Sequence, residues 1–111
     1  SLLGAAAMGD IGTHFPPGDP SYKDISSLRL LEEVVKKLKN SGYRVVNVDS
    51  TILAEQPRLR EYIDQMRKKL ARVLDVDVSH VSVKASTANL LGFVGREEGL
   101  AAWAVSTITS E

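Results

Sequence analysis

Two adjacent hydroxyl residues, Ser86 and Thr87, stand between an alternating stretch and a glycine-rich, charged loop. Hydroxyl groups can donate hydrogen bonds to phosphate oxygens, and Arg96, the one cation of the loop, carries a planar fork of donors suited to a phosphate. Each charge-assisted hydrogen bond of this kind contributes about 1.5–3 kcal/mol. These residue types predict a phosphate site, although an ordinary polar hairpin loop would use the same serine, threonine and glycine residues.

The elements that would hold these groups can be read from the hydrophobic periodicity of the chain. Val81, Val83 and Ala85 alternate with polar residues, which is the pattern of a strand with one buried face, so Thr87 ends that strand. Three glycines between residues 92 and 99 predict a backbone that bends tightly or lets a ligand approach. A final strand, residues 100–109, follows this loop.

The preceding part of the chain predicts three helices and one strand. Residues 1–8 have the apolar stripe of a helix end, and a second helix runs from caps near Ser26 to Gly42. Residues 43–54 predict a strand, and residues 58–74 predict the clearest amphipathic helix. No capping segment precedes the first helix, so we expect the sequence to lack an upstream segment.

This order of elements predicts one α+β domain over residues 1–111, with a ferredoxin-like mixed sheet and helices on one face. A strand, a helix and a second strand imply a right-handed crossover, and the glycine loop implies antiparallel neighbours. The polar middle of one face of the first strand predicts a subunit or solvent contact. The two expected faces are Val46, Val48, Ile52 and Ala54 on one side, and Val45, Asn47, Asp49, Thr51 and Leu53 on the other.

Composition narrows the class of protein. The 14 basic residues balance the 14 acidic residues, which argues against a nucleic-acid binder, and no cysteine is present for a disulfide or a thiolate metal site. The apolar runs are too short to span a bilayer, so we expect no membrane partner. His14 and His80 are far apart in the sequence and predict no zinc site by themselves.

Several motifs occur in one order along the chain. They are LGAAAMGDIG at residues 3–12, Phe-Pro and Asp-Pro pairs at residues 15–20, NVD at 47–49, VKA at 83–85, and LGFVGREEG at 91–99. Together they resemble 2-C-methyl-D-erythritol 2,4-cyclodiphosphate synthase, and the resemblance runs from end to end. It implies a bacterial, cytoplasmic lyase of the non-mevalonate isoprenoid pathway, a homotrimer with active sites between subunits. Such an enzyme converts 4-diphosphocytidyl-2-C-methyl-D-erythritol 2-phosphate to the cyclic diphosphate and CMP.

The resemblance also implies roles for individual residues. Thr87 matches the residue that stabilises the transition state, and Ser86 is its hydroxyl neighbour. Positions matching the family's substrate contacts, including the flanking loop and the glycine loop, are Asp10, Ile11, Gly12, Phe15, Asp19, Ser86, Asn89, Phe93 and Arg96. Positions matching the cytidine segment, which acts mostly through its backbone, are Ala54, Pro57, Arg58, Leu59 and Arg60.

This sequence departs from the family pattern in three places, which concern the metal ligands and the substrate loop. The family uses zinc together with magnesium or manganese, and its zinc ligands are expected upstream of Ser1, so no zinc ligand is assigned in this chain. Asn89 stands where the family commonly has a glutamate ligand to magnesium or manganese; its amide oxygen can bind a hard cation but brings no charge. The family's acidic FPDTD loop is FPPGD here, which leaves only Asp19.

Two other functions compete with the lyase. The glycines of residues 92–95 have the GxxG spacing of a KH-type RNA clamp, although such a clamp lies between two helices and is usually basic. A second alternative is an inactive scaffold that keeps only the trimer. Trp103 is interpreted as packing on a sheet face or in a trimer contact rather than as a stacking platform.

Overall fold

A three-stranded mixed sheet forms the centre of the computed structural model, which describes all residues from 1 to 111. The central strand β1 (Tyr43–Leu53) pairs in parallel with β2 (Val81–Ser86) and antiparallel with β3 (Ala101–Ser110). The parallel pair is joined by a helix, and the antiparallel strand follows the glycine loop. The predicted α+β class and mixed sheet are confirmed.

Two long helices cover one face of the sheet. α3 (Ser27–Asn40) begins where the Ser26 hydroxyl accepts a hydrogen bond from the Leu28 N–H group, and α4 (Ile63–Leu74) follows β1. As predicted, Gly42 adopts a positive φ of 85° just after α3, where a residue without Cβ is favoured. None of the helices is long and apolar enough to cross a membrane.

Three short helical segments lie at the edges of this arrangement. α1 (Leu2–Ala5) packs against β3 and α3, whereas α2 (Ile11–His14) follows a glycine turn. α5 (Gly92–Gly95) turns the glycine loop back towards the sheet. α5 is a single helical turn with a glycine, Gly92 or Gly95, at each end.

The fourth helix begins later than its hydrophobic pattern predicts. The prediction placed its start at residue 58, but a 3-10 turn at Arg60–Tyr62 precedes α4 and the α-helix begins at Ile63. Tyr62, which lies within the helix predicted over residues 58–74, is exposed. The residues matched to the cytidine segment therefore precede the α-helix, in a loop that ends at the 3-10 turn beginning at Arg60, where several backbone N–H and C=O groups are outside regular helix pairing.

The core lies between the helices and one face of the sheet. Its members are mostly aliphatic and come chiefly from α1, α3, α4, β1 and β2, whereas β3 contributes only the partly buried Ile108. The buried core residues are Leu2, Leu3, Phe15, Val34, Val35, Leu38, Val45, Val48, Ala71, Leu74, Val81 and Val83.

A β-bulge overturns the predicted position of Val45. The pairing of β1 with β3 shifts between Val45 and Asn47, so Val46 is an extra residue in the strand. Because side chains alternate in a strand, one extra residue brings Val45 to the same face as Val48, and both are buried in the core. The assignment of Val45 to the polar face was wrong.

Candidate active site

The cytidine segment and the hydroxyl pair meet at one edge of the sheet. β1 and β2 are parallel, so both strands end at this edge, and the Ala54 N–H group continues their pairing by donating to the Ser86 carbonyl at 3.0 Å. A cleft of about 570 Å³ opens there. Its lining residues are Ala54, Glu55, Pro57, Arg58, Leu59, Arg60, Ile63, Lys84, Ala85, Ser86 and Thr87.

The two hydroxyl groups are exposed at the rim of the cleft and make only local hydrogen bonds. Ser86 donates to the Thr87 carbonyl at 3.1 Å. Thr87 Oγ1 accepts from the Asn89 N–H group at 3.3 Å and donates to Asn89 Oδ1 at 3.4 Å. Hydrogen bonds of this length are weak, so the Thr87 proton can be redirected to a phosphate oxygen at little cost.

A tight turn places Thr87. Asn89 and Leu90 both have left-handed backbone conformations, with φ of 53° and 66°. Such conformations are unfavourable for residues other than glycine. The backbone of Leu90 also lies so close to Gly95 that a Cβ on that glycine would overlap it. The glycine loop therefore allows the close approach that the sequence predicted, but to its own chain.

Two residues of the cleft were missed by the sequence analysis. Glu55 is buried and accepts hydrogen bonds from the N–H groups of Ala88 and Leu90, although a glutamate beside a loop is ordinarily exposed. Lys84 pairs with Asp49 at 3.0 Å, and this hydrogen bond holds the pKa of the Asp49 carboxyl below its usual range. The alternation of β2 shows that Lys84 faces away from the core, but not that it lines a cleft.

The residues of the glycine loop do not line this cleft. Arg96 is exposed and its guanidinium group binds the Glu98 carboxylate, with the shorter contact at 2.7 Å from Nε to Oε1. Phe93 is half exposed on α5 and lies over Gly99. Within one chain, these two matched positions therefore form a separate charged and aromatic surface.

The predicted methylerythritol contacts are also separate from the cleft. Asp10 and Ile11 line another cavity, of about 650 Å³, bounded by α1, α3 and the sheet. Asp10 caps α2, where Oδ1 accepts from the side chain and the N–H group of Thr13. These hydrogen bonds, chiefly the one from the Thr13 hydroxyl, lower the pKa of Asp10. Gly12 lies within α2 itself.

Two residues matched to the substrate loop, Phe15 and Asp19, make contacts within the fold. Phe15 is buried and packs edge-on against Tyr22, with ring centroids 5.2 Å apart. Its ring therefore belongs to the core rather than to a ligand surface. Asp19 is half-buried and its carboxylate accepts the Ser21 N–H group at 2.9 Å, capping a short 3-10 turn.

The histidine residues do not form a zinc site. His14 Nε2 lies 2.8 Å from the Met8 carbonyl, and His80 Nδ1 lies 2.7 Å from the Val46 carbonyl at the bulge. No group of three or more histidine, aspartate or glutamate side chains is arranged to hold a metal ion. Asn89 Oδ1 is hydrogen-bonded to Thr87 and has no carboxylate beside it. The residues present do not fit a zinc ion.

Sequence comparison decides the family. The YgbB family matches residues 1–109. The 2-C-methyl-D-erythritol 2,4-cyclodiphosphate synthase of Dehalococcoides mccartyi is 59% identical over 108 residues, which are 97% of this chain and 69% of the relative. The chain belongs to the YgbB family, the family of these synthases. The enzyme of Chlorobaculum tepidum, which has the same name, is 54% identical over 97% of this chain and 69% of that relative.

Solved structures of synthase-family proteins share the fold. The bifunctional IspDF of Campylobacter jejuni superposes with a TM-score of 0.95 at 34% identity, over 99% of this chain and 30% of that one. A CDP complex of IspF from Plasmodium falciparum superposes with a TM-score of 0.86 at 28% identity, over 100% of this chain and 66% of that one. The 111 residues therefore have the fold of the matched part of these structures.

The family assignment excludes the RNA-clamp alternative. The GxxG residues form the single helical turn α5, and Val94 between the glycines is buried, whereas a KH clamp is a loop between two helices. The zero net charge argues in the same direction. The GxxG spacing instead provides the close contact between Gly95 and Leu90.

Proposed function

We propose that this protein supplies the active site of a bacterial, cytoplasmic 2-C-methyl-D-erythritol 2,4-cyclodiphosphate synthase, which releases CMP from 4-diphosphocytidyl-2-C-methyl-D-erythritol 2-phosphate. One observation carries the proposal. The loop matched to cytidine binding and the Thr87 hydroxyl line the same cleft, joined by the Ala54 to Ser86 hydrogen bond. A nucleotide bound by the loop would then present its phosphates to Thr87.

The chemistry needs positioning and charge stabilisation rather than a protein nucleophile. An oxygen of the 2-phosphate attacks the β-phosphorus, a new P–O bond forms, and the bond to the CMP phosphate breaks with its electron pair leaving on CMP. The exposed Thr87 hydroxyl can donate to an oxygen whose negative charge grows in the transition state. Lys84, Arg58 and Arg60 add positive charge to the same cleft. Divalent metal ions of the family would supply further Lewis-acid stabilisation when bound.

The separation of the matched residues supports a site shared between subunits. In one chain, Asp10 and Ile11 line a different cavity from the one that contains Thr87. A single subunit therefore presents two half-sites, and a ring of subunits could bring one half of each chain against the other half of its neighbour. This arrangement agrees with the homotrimer that the sequence resemblance implied.

The helix-free face of the sheet is the surface that we assign to the trimer contact. Trp103 and Val105 lie there on β3, opposite Thr51 and Asp49, and are 61% and 71% exposed. Two large apolar side chains on a sheet face without covering helices mark an interaction surface. Their burial between subunits would remove this apolar area from water.

We expect a homotrimer in solution. Light scattering coupled to size-exclusion chromatography should give three times the chain mass at micromolar concentration. Val105→Glu should shift the protein towards monomer because it buries a charge in the contact, whereas Val78→Glu, on the 3-10 turn before β2 and outside the paired residues of β3, should remain trimeric. A wild-type monomer at that concentration would contradict the assembly.

We expect Arg96 to bind a diphosphate at the subunit junction, where the resemblance places it close to the trimer axis. Arg96→Ala should weaken the affinity for an isoprenoid diphosphate about tenfold or more, because a charge-assisted pair is lost. Calorimetry with Arg72→Ala, an exposed arginine at the end of α4, provides the control. An unchanged affinity would limit Arg96 to its contact with Glu98.

Ligand competition tests the function as a whole. CDP should bind, and its binding should protect the amides of the loop at residues 54–60 from hydrogen exchange. Single-stranded RNA at matched salt should not bind. CMP release from the natural substrate should then follow in the protein that carries all metal ligands. Nucleotide binding without CMP release in that protein would favour the inactive scaffold.

A further inference from the structure

Glu55 is the only charged or polar residue that the fold buries, with 8% of its surface exposed. None of the ion pairs of the chain includes it. Burial of a carboxylate is costly unless its oxygens receive hydrogen bonds. Both oxygens do: Oε2 accepts from the Ala88 N–H group at 3.1 Å, and Oε1 accepts from the Leu90 N–H group at 2.6 Å.

These bonds hold the turn that carries Thr87. The turn contains the left-handed residues Asn89 and Leu90, which are costly conformations that persist only where the surroundings impose them. One constraint is the close packing of Leu90 on Gly95. The other is the Glu55 carboxylate, which binds the N–H groups on either side of Asn89.

The backbone around Glu55 has supports of its own. The Ala54 N–H group is fixed by the Ser86 carbonyl at 3.0 Å, and the Leu59 carbonyl accepts the Tyr62 N–H group at 2.9 Å. Removing the carboxylate should therefore leave the nucleotide loop in place while releasing the turn. The side chain of Glu55 binds the backbone of Ala88 and Leu90, next to Thr87, whereas its own backbone belongs to the segment matched to cytidine binding.

We propose that Glu55 is a positioning residue that connects the nucleotide loop to the turn of Thr87 and fixes the Thr87 hydroxyl for the transition state. This inference rests on the proposed function, since it gives Thr87 a substrate to act on. It assigns to Glu55 an effect on kcat rather than on nucleotide affinity. The carboxylate itself is buried, and both of its oxygens accept hydrogen bonds from the turn.

The first test observes the hydrogen bonds in the 111-residue chain by amide NMR. The Leu90 amide proton should resonate far downfield and exchange slowly, because its bond to the carboxylate is short. In Glu55→Gln the side chain keeps its size, but its NH2 group faces one of the two N–H donors. The Ala88 or Leu90 resonance should move upfield and exchange faster. Glu61→Gln, at an exposed glutamate directly after this segment, should leave both resonances unchanged.

The second test separates kcat from binding in the protein extended by the upstream segment with the zinc ligands. Glu55→Gln should lower kcat about tenfold or more while the Kd for CDP changes less than about threefold. Glu55→Ala should lower kcat further, so that the conservative variant gives partial rescue. Far-UV circular dichroism and the melting temperature verify that each variant is folded.

A double-mutant cycle tests whether Glu55 acts through Thr87. If it does, Glu55→Gln should cost little additional kcat in the Thr87→Val background, because both changes remove the same hydroxyl placement. Additive losses, or equal losses of kcat and CDP affinity, would overturn the positioning role. So would unchanged kcat in Glu55→Gln. A wild-type extended protein without turnover would instead overturn the proposed function, and the Leu90 amide would still report whether the hydrogen bonds exist.

Discussion

Thr87→Val should lower kcat about a hundredfold to a thousandfold, the loss seen when one preorganised donor to a developing negative charge is removed. Valine keeps the size and β-branching of threonine at the end of β2, so the fold should survive. It removes one of the two exposed hydroxyl groups that line the cleft. The variant should retain CDP binding, because the hydrogen bonds of Thr87 Oγ1 go to Asn89 and not to the nucleotide loop.

The measurement is single-turnover CMP release in the protein that carries the upstream segment. Thr109→Val offers a matched control, since Thr109 pairs with Arg44 at the opposite end of β1 from the cleft. The control should keep wild-type kcat. Wild-type turnover in Thr87→Val would show that the hydroxyl has no part in the reaction and that the matched motif marks only the turn.

The local elements of the site could be predicted because they depend on short-range rules. The alternation of Val81 and Val83 predicted β2, and Gly42 was placed correctly after α3. Motif order predicted the family, since several separate motifs in one order along the chain are more specific than any single motif. The close approach of backbone at Gly95 followed from the glycine itself, although the partner proved to be Leu90.

Other features depend on tertiary contacts that periodicity does not contain. The bulge turns Val45 into the core, and at the bulge the Val46 carbonyl contacts the ring of His80, a residue 34 positions away. The burial of Glu55 requires two N–H donors from the other side of the cleft. A pattern of residue types cannot show either contact, because both join segments that are distant in the sequence.

The division of the matched residues into two cavities has the same origin. Motif order matched both Asp10 and Thr87 to the family's site. It did not show that one cavity lies beside α1 and α3 whereas the other lies where β1 and β2 end. The sheet topology separates them. A shared site between subunits is the arrangement that would let both motifs serve one substrate.

The metal requirement leads to the second large effect. His14, on α2, and His80, just before β2, each bind a backbone carbonyl. Neither histidine belongs to a group of three side chains that could hold a metal ion. A zinc ion in a catalytic site needs three protein ligands and an open position. We therefore expect the 111-residue chain, produced alone, to bind no stoichiometric zinc.

Without that Lewis acid the repulsion between the 2-phosphate and the diphosphate would be largely unopposed, so the chain alone should show no turnover. The loop at residues 54–60 should still bind CMP weakly, because its backbone supports lie within the chain. Adding the natural upstream segment, where the resemblance places the zinc ligands, should restore both zinc and CMP release. Elemental analysis and a turnover assay on the two proteins decide the matter. One zinc per chain together with cyclisation by the 111 residues alone would show that the ligands lie within them and that the matched site is placed wrongly.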